Sequence, residues 1–124
     1  MPFEWTEYLA LARRLAKENN EAAQRSAISR AYYSVYHSAL SFLEQTENFS
    51  VSFENPAHKQ VWDRFRRLGR THAAVGLNGD RLRVNRAQAD YYDDIRDLPN
   101  LVDDSFDRVD KVSHYLDQIG RARI

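Results

Sequence analysis

Ile28, Tyr32, Val35, Ala39, Phe42 and Leu43 recur at helical spacing, and the pattern runs unbroken from about Glu21 to Gln45. At 1.5 Å per residue this stretch of about 25 residues reaches roughly 37 Å, the full span of a small domain. A chain of 124 residues organised around such a helix is expected to form one domain, residues 1–124, with the other elements laid along it.

Those elements also read as helices. Trp5, Tyr8, Leu9, Ala12, Leu15 and Ala16 share a face over residues 4–18, and Asn19 and Asn20 close that segment. Residues 46–54, TENFSVSFE, read as a loop, although FSVSF alternates like a strand. Asn55 followed by Pro56 is a helix start, a side-chain cap and then proline at the first helical position. Val61, Trp62, Phe65 and Leu68 carry the third helix, which weakens near Gly69, and Gly76 and Gly79 bracket a loop. A fourth helix is predicted from about Arg81 to Asp97. After Pro99 a fifth runs from Asn100 to Ile119, with core positions Leu101, Val102, Val109, Val112, Leu116 and Ile119 and Gly120 as its C-terminal cap. The predicted fold class is all-α, an up-and-down bundle of about five helices.

Composition excludes several functions. Apolar residues make up 43% of the chain, enough for a core, and there is no cysteine for disulfides or thiolate chemistry. The N-terminus, MPFEWTEYLA, has neither a basic region nor an apolar run, so no secretory signal is expected, and no stretch approaches about 18 apolar residues. A soluble cytoplasmic protein without a membrane segment is the expectation. Four histidines, at 37, 58, 72 and 114, lack paired spacing for zinc, and no glycine-rich phosphate loop occurs, so neither metal nor cofactor is implied.

The zero net charge conceals two blocks. Residues 64–86 hold seven arginines and one aspartate, a net of +6, while residues 90–117 hold nine aspartates and three basic residues, a net of −6. Opposed blocks suit a contact between helices or between copies, and the basic one also suits phosphate.

SRAYYSVYHSAL, residues 29–40, places polar groups among aromatics. Ser26, Arg30, Tyr33, His37, Ser41 and Glu44 form a strip beside the apolar stripe. Arg30 and His37 lie two turns apart, about 10 Å, a separation that matches a dinucleotide step rather than one phosphate. The rings of Tyr32, Tyr33 and Tyr36 either stack on a base or bury against a neighbouring helix.

SRAYYSVYHSALSFLE resembles the second helix of HEPN domains (higher eukaryotes and prokaryotes nucleotide-binding). HKQVWDRF, from His58, is similar to the start of that family's third helix, and RVNRAQADYYDD, from Arg83, looks like its fourth-helix segment Arg-x-x-Ala-Asp-Tyr. The resemblance covers nearly the whole chain in order. It implies a helical bundle directed at RNA or nucleotides, and in many members a metal-independent ribonuclease with an Arg-x(4–6)-His motif paired across a homodimer. Relatives of this type are often toxins encoded beside a small nucleotidyltransferase antitoxin. In such an enzyme the arginine holds the scissile phosphate and the histidine moves a proton of the 2′-hydroxyl. Here Arg86 stands in the arginine's place, but Asp90 and Tyr91 occupy the place of the histidine. Arg66 or Arg67 with His72, and Arg30 with His37, match the spacing elsewhere. The candidate catalytic residues are therefore Arg86, Asp90 and His37, and the candidate nucleotide- or RNA-binding residues are Arg30, Tyr33, Arg83, Arg86 and Tyr91. Arg30 and His37 are expected to share one groove with Arg83, Arg86 and Asp90. The alternative is a non-catalytic helical module that binds a partner by dimerising, its motif degenerate.

Overall fold

The computed structural model describes residues 2–52 and 56–122, and the expected cap at Asn55 lies outside them. It is an all-helical bundle of five helices: α1 (Thr6–Ala16), α2 (Glu21–Thr46), α3 (Ala57–Arg66), α4 (Arg70–Tyr91) and α5 (Leu98–Ala122). No strand occurs among the described residues; the alternating Phe49 and Val51 instead fold onto the core from an irregular segment. Gln60 pins that segment to α3 by bonding both the N–H and the C=O of Ser52, each at 2.9 Å.

The long helix is the axis. α2 packs on α1, α4 and α5, and α3 packs chiefly on α4. Asn20 caps α2 by accepting the Ala23 N–H at 2.8 Å. Tyr32, Trp62, Phe65, Leu43, Leu82 and Val109 are fully buried in the main core. A second cluster of Ile28, Ala89, Leu98 and Val102 joins α2, α4 and α5 at the other end.

Two glycines expected to bracket a loop lie inside α4. A β-carbon on Gly79 would stand 2.3 Å from Trp62 Cε3, and one on Gly76 would stand 2.6 Å from the Trp62 carbonyl oxygen. Their glycines let α3 and α4 approach until the indole lies on the α4 backbone, and that packing outweighs about 1 kcal/mol of lost helix propensity each. The break falls at Gly69 instead, whose φ of 134° is open to glycine and strained for other residues.

The fourth helix therefore begins eleven residues before the expected Arg81 and ends at Tyr91, short of Asp97. Arg25 of α2 donates to the carbonyls of Ala89, Tyr92 and Asp93, taking up groups left free where the helix stops. Pro99 does not interrupt α5 but sits in its first turn, where no amide donor is needed, and Asp97 accepts the Asn100 N–H at 3.2 Å. Gly120 lies within α5 rather than capping it. Pro56 is the N-cap of α3 rather than its first residue.

A partly buried polar ladder ties α4 to α5. Arg108 donates to Asn78 Oδ1 at 2.9 Å, while Asn85 Nδ2 donates to Asp104 at 2.8 Å and to Ser105 at 3.1 Å. Among the described residues no ion pair joins the opposed charge blocks from one helix to another. Among the described residues the single ion pair joining them is Arg86 with Asp90, both on α4. No helix of the described residues is long and apolar enough to cross a membrane.

Candidate phosphate-binding cleft

Tyr33 from α2, His58 and Lys59 from the first turn of α3, and Arg83, Arg86 and Tyr91 from α4 line an open cleft of about 620 Å³. The helical period explains the α4 set, since positions 83 and 86 are one turn apart and 91 follows at the helix end. Among the described residues three cationic side chains line it and no carboxylate does.

Arg86 is the best-held of the cations. Its side chain is 13% exposed and donates through Nη1 to Asp90 Oδ2 at 3.3 Å. The guanidinium carbon stands 5.6 Å from the ring centres of Tyr32 and Tyr33 and 5.8 Å from that of Tyr91. Nε is buried with no hydrogen-bond partner among the described residues. Burial alone would weaken the charge, but Tyr33, Asp90 and Tyr91 outweigh it and hold the pKa above its ordinary value. The aromatic faces and Asp90 thus stabilise the cation, and Nε is its one buried nitrogen without a partner among the described residues. Arg83 is tethered through Nε to Asp80 at 2.9 Å, and Asp80 also holds Arg66 at 3.2 Å.

His58 lies on the wall of the cleft. Trp62 Nε1–H donates to Tyr32 Oη at 3.1 Å, and Tyr32 Oη lies 3.0 Å from His58 Nδ1. The imidazole rests against Tyr36, ring centres 4.4 Å apart, and meets Tyr33 edge-on at 5.6 Å. Burial first, then the charges of Arg86, Arg83 and His37, push its pKa down to about 4. Tyr32 is pushed upward, chiefly by its burial.

Of the residues expected from the sequence, Tyr33, Arg83, Arg86 and Tyr91 do line one cleft, and Asp90 stands behind it as the partner of Arg86. Arg30 and His37 are not among the lining residues. The Arg30 guanidinium lies 5.0 Å from the Tyr8 ring, and His37 stacks on Trp5 at 3.5 Å, so α1 covers both. The short α1 lies against the polar strip of α2 because Phe3, Trp5 and Tyr8 form an edge-packed aromatic cluster that needs a wall. His37 belongs to a separate surface hollow with Phe3, Trp5 and Ser41, and burial lowers its pKa against the opposing pull of Glu44. The histidine brought to the arginines is His58, which no spacing rule singled out. Its signal was indirect: a tyrosine as deeply buried as Tyr32 needs a partner for its hydroxyl, and His58 stands one helical turn before Trp62. Among the described residues no three side chains converge to hold a metal ion.

None of the protein-family models, curated proteins or solved structures compared with the chain matches it.

Proposed function

We propose that the chain is an RNA- or nucleotide-directed helical protein of the HEPN kind and that the cleft between α2, α3 and α4 holds a phosphate group. The observation that carries the reading is Arg86, partly buried in a tyrosine cage beside Arg83 and Lys59 on a wall that holds no carboxylate among the described residues. Phosphate supplies the acceptors that this wall lacks. Tyr91, 74% exposed at the rim, offers a face on which a base can stack. The resemblance adds a metal-independent ribonuclease that acts as a toxin beside a small nucleotidyltransferase. On that reading Arg86 binds the phosphate, while Asp90, already engaged by Arg86 and Ser29, serves as its anchor rather than as a base.

Leu77 and Val84, 40% and 45% exposed, lie one heptad apart on the outer face of α4, and Tyr91 continues the row. A homodimer formed on this face would bring a second copy to the rim of each cleft.

The direct test is fluorescence anisotropy with a short labelled single-stranded RNA at about 50 mM salt, where phosphate contacts are strongest, on the intact protein and on Arg86→Ala. The intact protein should bind and the variant should bind at least about tenfold more weakly. Incubation of the same protein with total RNA, with and without EDTA, separates cleavage from binding. Equal binding by Arg86→Ala would reject the cleft.

A further inference from the structure

We propose that His58 serves the cleft as a neutral hydrogen-bond donor, presenting Nε2–H to a phosphate oxygen of the bound nucleotide or RNA, and that Tyr32 and Trp62 are the positioning residues that keep it in this form. The inference rests on the reading of the cleft as a phosphate site.

The hydrogen-bond chain dictates the tautomer. An indole N–H can only donate, so at 3.1 Å Tyr32 Oη is the acceptor for Trp62. The Tyr32 side chain is fully buried, and among the described residues the remaining partner of its hydroxyl is His58 Nδ1 at 3.0 Å. The phenolic proton therefore points at Nδ1, which must accept it. The ring's own proton sits on Nε2.

The surroundings keep the ring uncharged. Among the described residues, the charged and titratable groups around it are Tyr32, Tyr33, Tyr36 and His37 on α2, Lys59 on its own helix, and Arg83 and Arg86 on α4. None is a carboxylate. A second proton would charge a half-buried ring and face two arginines, the causes in that order of a pKa lowered to about 4, and it would have to enter at Nδ1, against the Tyr32 hydroxyl. The same arrangement bars His58 from acting as a general base through Nε2, because that nitrogen carries the proton and has no free lone pair. The cleft is thus built to hold a phosphate with one neutral and several cationic donors.

Two measurements on the full chain test this. Two-bond 1H–15N correlation spectra of the uniformly labelled protein should show His58 with Nε2 protonated and Nδ1 bare from about pH 6 to 8, where an ordinary histidine titrates. Tyr32→Phe should turn that signal into a mixture of tautomers. Affinity for a short labelled oligouridine should fall about tenfold in His58→Ala, the loss of one hydrogen bond to a charged acceptor. His58→Gln, whose amide nitrogen reaches near the Nε2 position, should restore most of it.

An Nδ1–H tautomer, an imidazolium at neutral pH, or unchanged affinity in His58→Ala while Arg86→Ala still loses binding would overturn the role of His58 and leave the cleft standing. If the intact protein fails to bind the oligouridine at all, the phosphate reading falls and this inference falls with it.

Discussion

Arg86 and Asp90 are joined one turn apart on α4 at 3.3 Å, and Ser29 of α2 donates to the same Asp90 oxygen at 3.2 Å. The carboxylate therefore ties two helices and aims one guanidinium, but it does not hold that guanidinium alone, because three tyrosine rings do so as well. This division predicts unequal effects. Asp90→Ala should lower the melting temperature by about 2–5 °C, the loss of about 1 kcal/mol in a chain of this size. Its RNA affinity should stay within about threefold, since the tyrosine cage remains to hold Arg86. Arg86→Ala should reduce affinity at least tenfold, the loss of a multiply bonded phosphate contact. Calorimetry and anisotropy on the two variants check the pattern, and a larger binding loss in Asp90→Ala than in Arg86→Ala would contradict it.

Gly79 is the second point of leverage. The missing β-carbon leaves room for the six-membered ring of Trp62, which is itself fully buried and has nowhere to retreat. Gly79→Ala gains about 1 kcal/mol of helix propensity and should still lose about 2–3 kcal/mol net through overpacking. The expected readout is a lowered urea midpoint with an unchanged m-value. A variant as stable as the parent would mean that α3 and α4 are not in this close contact.

The contrast between α2 and α4 shows what was legible in the sequence. Of the stripe that announced α2, Ile28, Tyr32, Val35, Ala39 and Leu43 are buried and Phe42 is half-buried against the core, because α2 packs along its length and its pattern reports its surroundings. In α4 the close contact is made by residues without side chains. Gly76 and Gly79 read locally as breakers, and only the indole of Trp62 on another helix gives them their purpose. The candidate site divides in the same way. Arg83, Arg86 and Tyr91 share one helix and came out together, whereas His58 joined them through a hydrogen-bond chain linking α2 and α3 that no linear spacing encodes. His37 had the better spacing but is covered by Trp5, and the docking of α1 decides that.

Stability should fall as the pH drops through the mildly acidic range. His58 has a folded pKa of about 4 against an ordinary 6.5, and that of His37 is also lowered, in both cases first by burial. A depressed histidine pKa means that the unfolded chain takes up the proton first. The stabilisation is complete above about pH 6.5 and is lost progressively toward pH 4. For a partly exposed ring the loss attributable to His58 is on the order of 1–2 kcal/mol after solvent screening. Urea unfolding at about pH 7 and pH 5 isolates the histidines, since most carboxylates titrate lower. The midpoint should fall in the parent and fall less in His58→Gln. Equal falls in the two proteins would place the titrating group elsewhere.

Binding should weaken with salt in proportion to the cations that meet phosphate. Arg83, Arg86 and Lys59 line the cleft, and three neutralised phosphates on single-stranded RNA give a slope of about −2 for log affinity against log salt. Arg83→Ala should make that slope shallower by about 0.7. Arg81→Ala should leave it unchanged, because Arg81 is exposed on α4 and does not line the cleft. A slope near zero would show that the arginine block is a solvated face.

The outer face of α4 sets the last expectation. Leu77, Val84 and Tyr91 are each at least 40% exposed and stand at seven-residue intervals, a spacing that keeps apolar side chains in one row along a helix. Burying such a row against a second copy removes apolar surface from water on both chains, worth about 25 cal/mol for each Å². Arg81 lies in the same row between Leu77 and Val84, so two copies must cross with their arginines offset toward solvent or toward a carboxylate of the partner. The dimer should therefore be weak and salt-tolerant rather than obligate. Light scattering should rise from near the 14.5 kDa chain mass toward twice that value as the concentration is raised through the micromolar range. Val84→Asp should return the chain to monomers without changing its helical content, because Val84 is 45% exposed and is a member of neither buried cluster. A parent protein that scatters as a single chain throughout that range would show that this row is not a self-association surface, and the cleft would then have to bind its ligand within one chain.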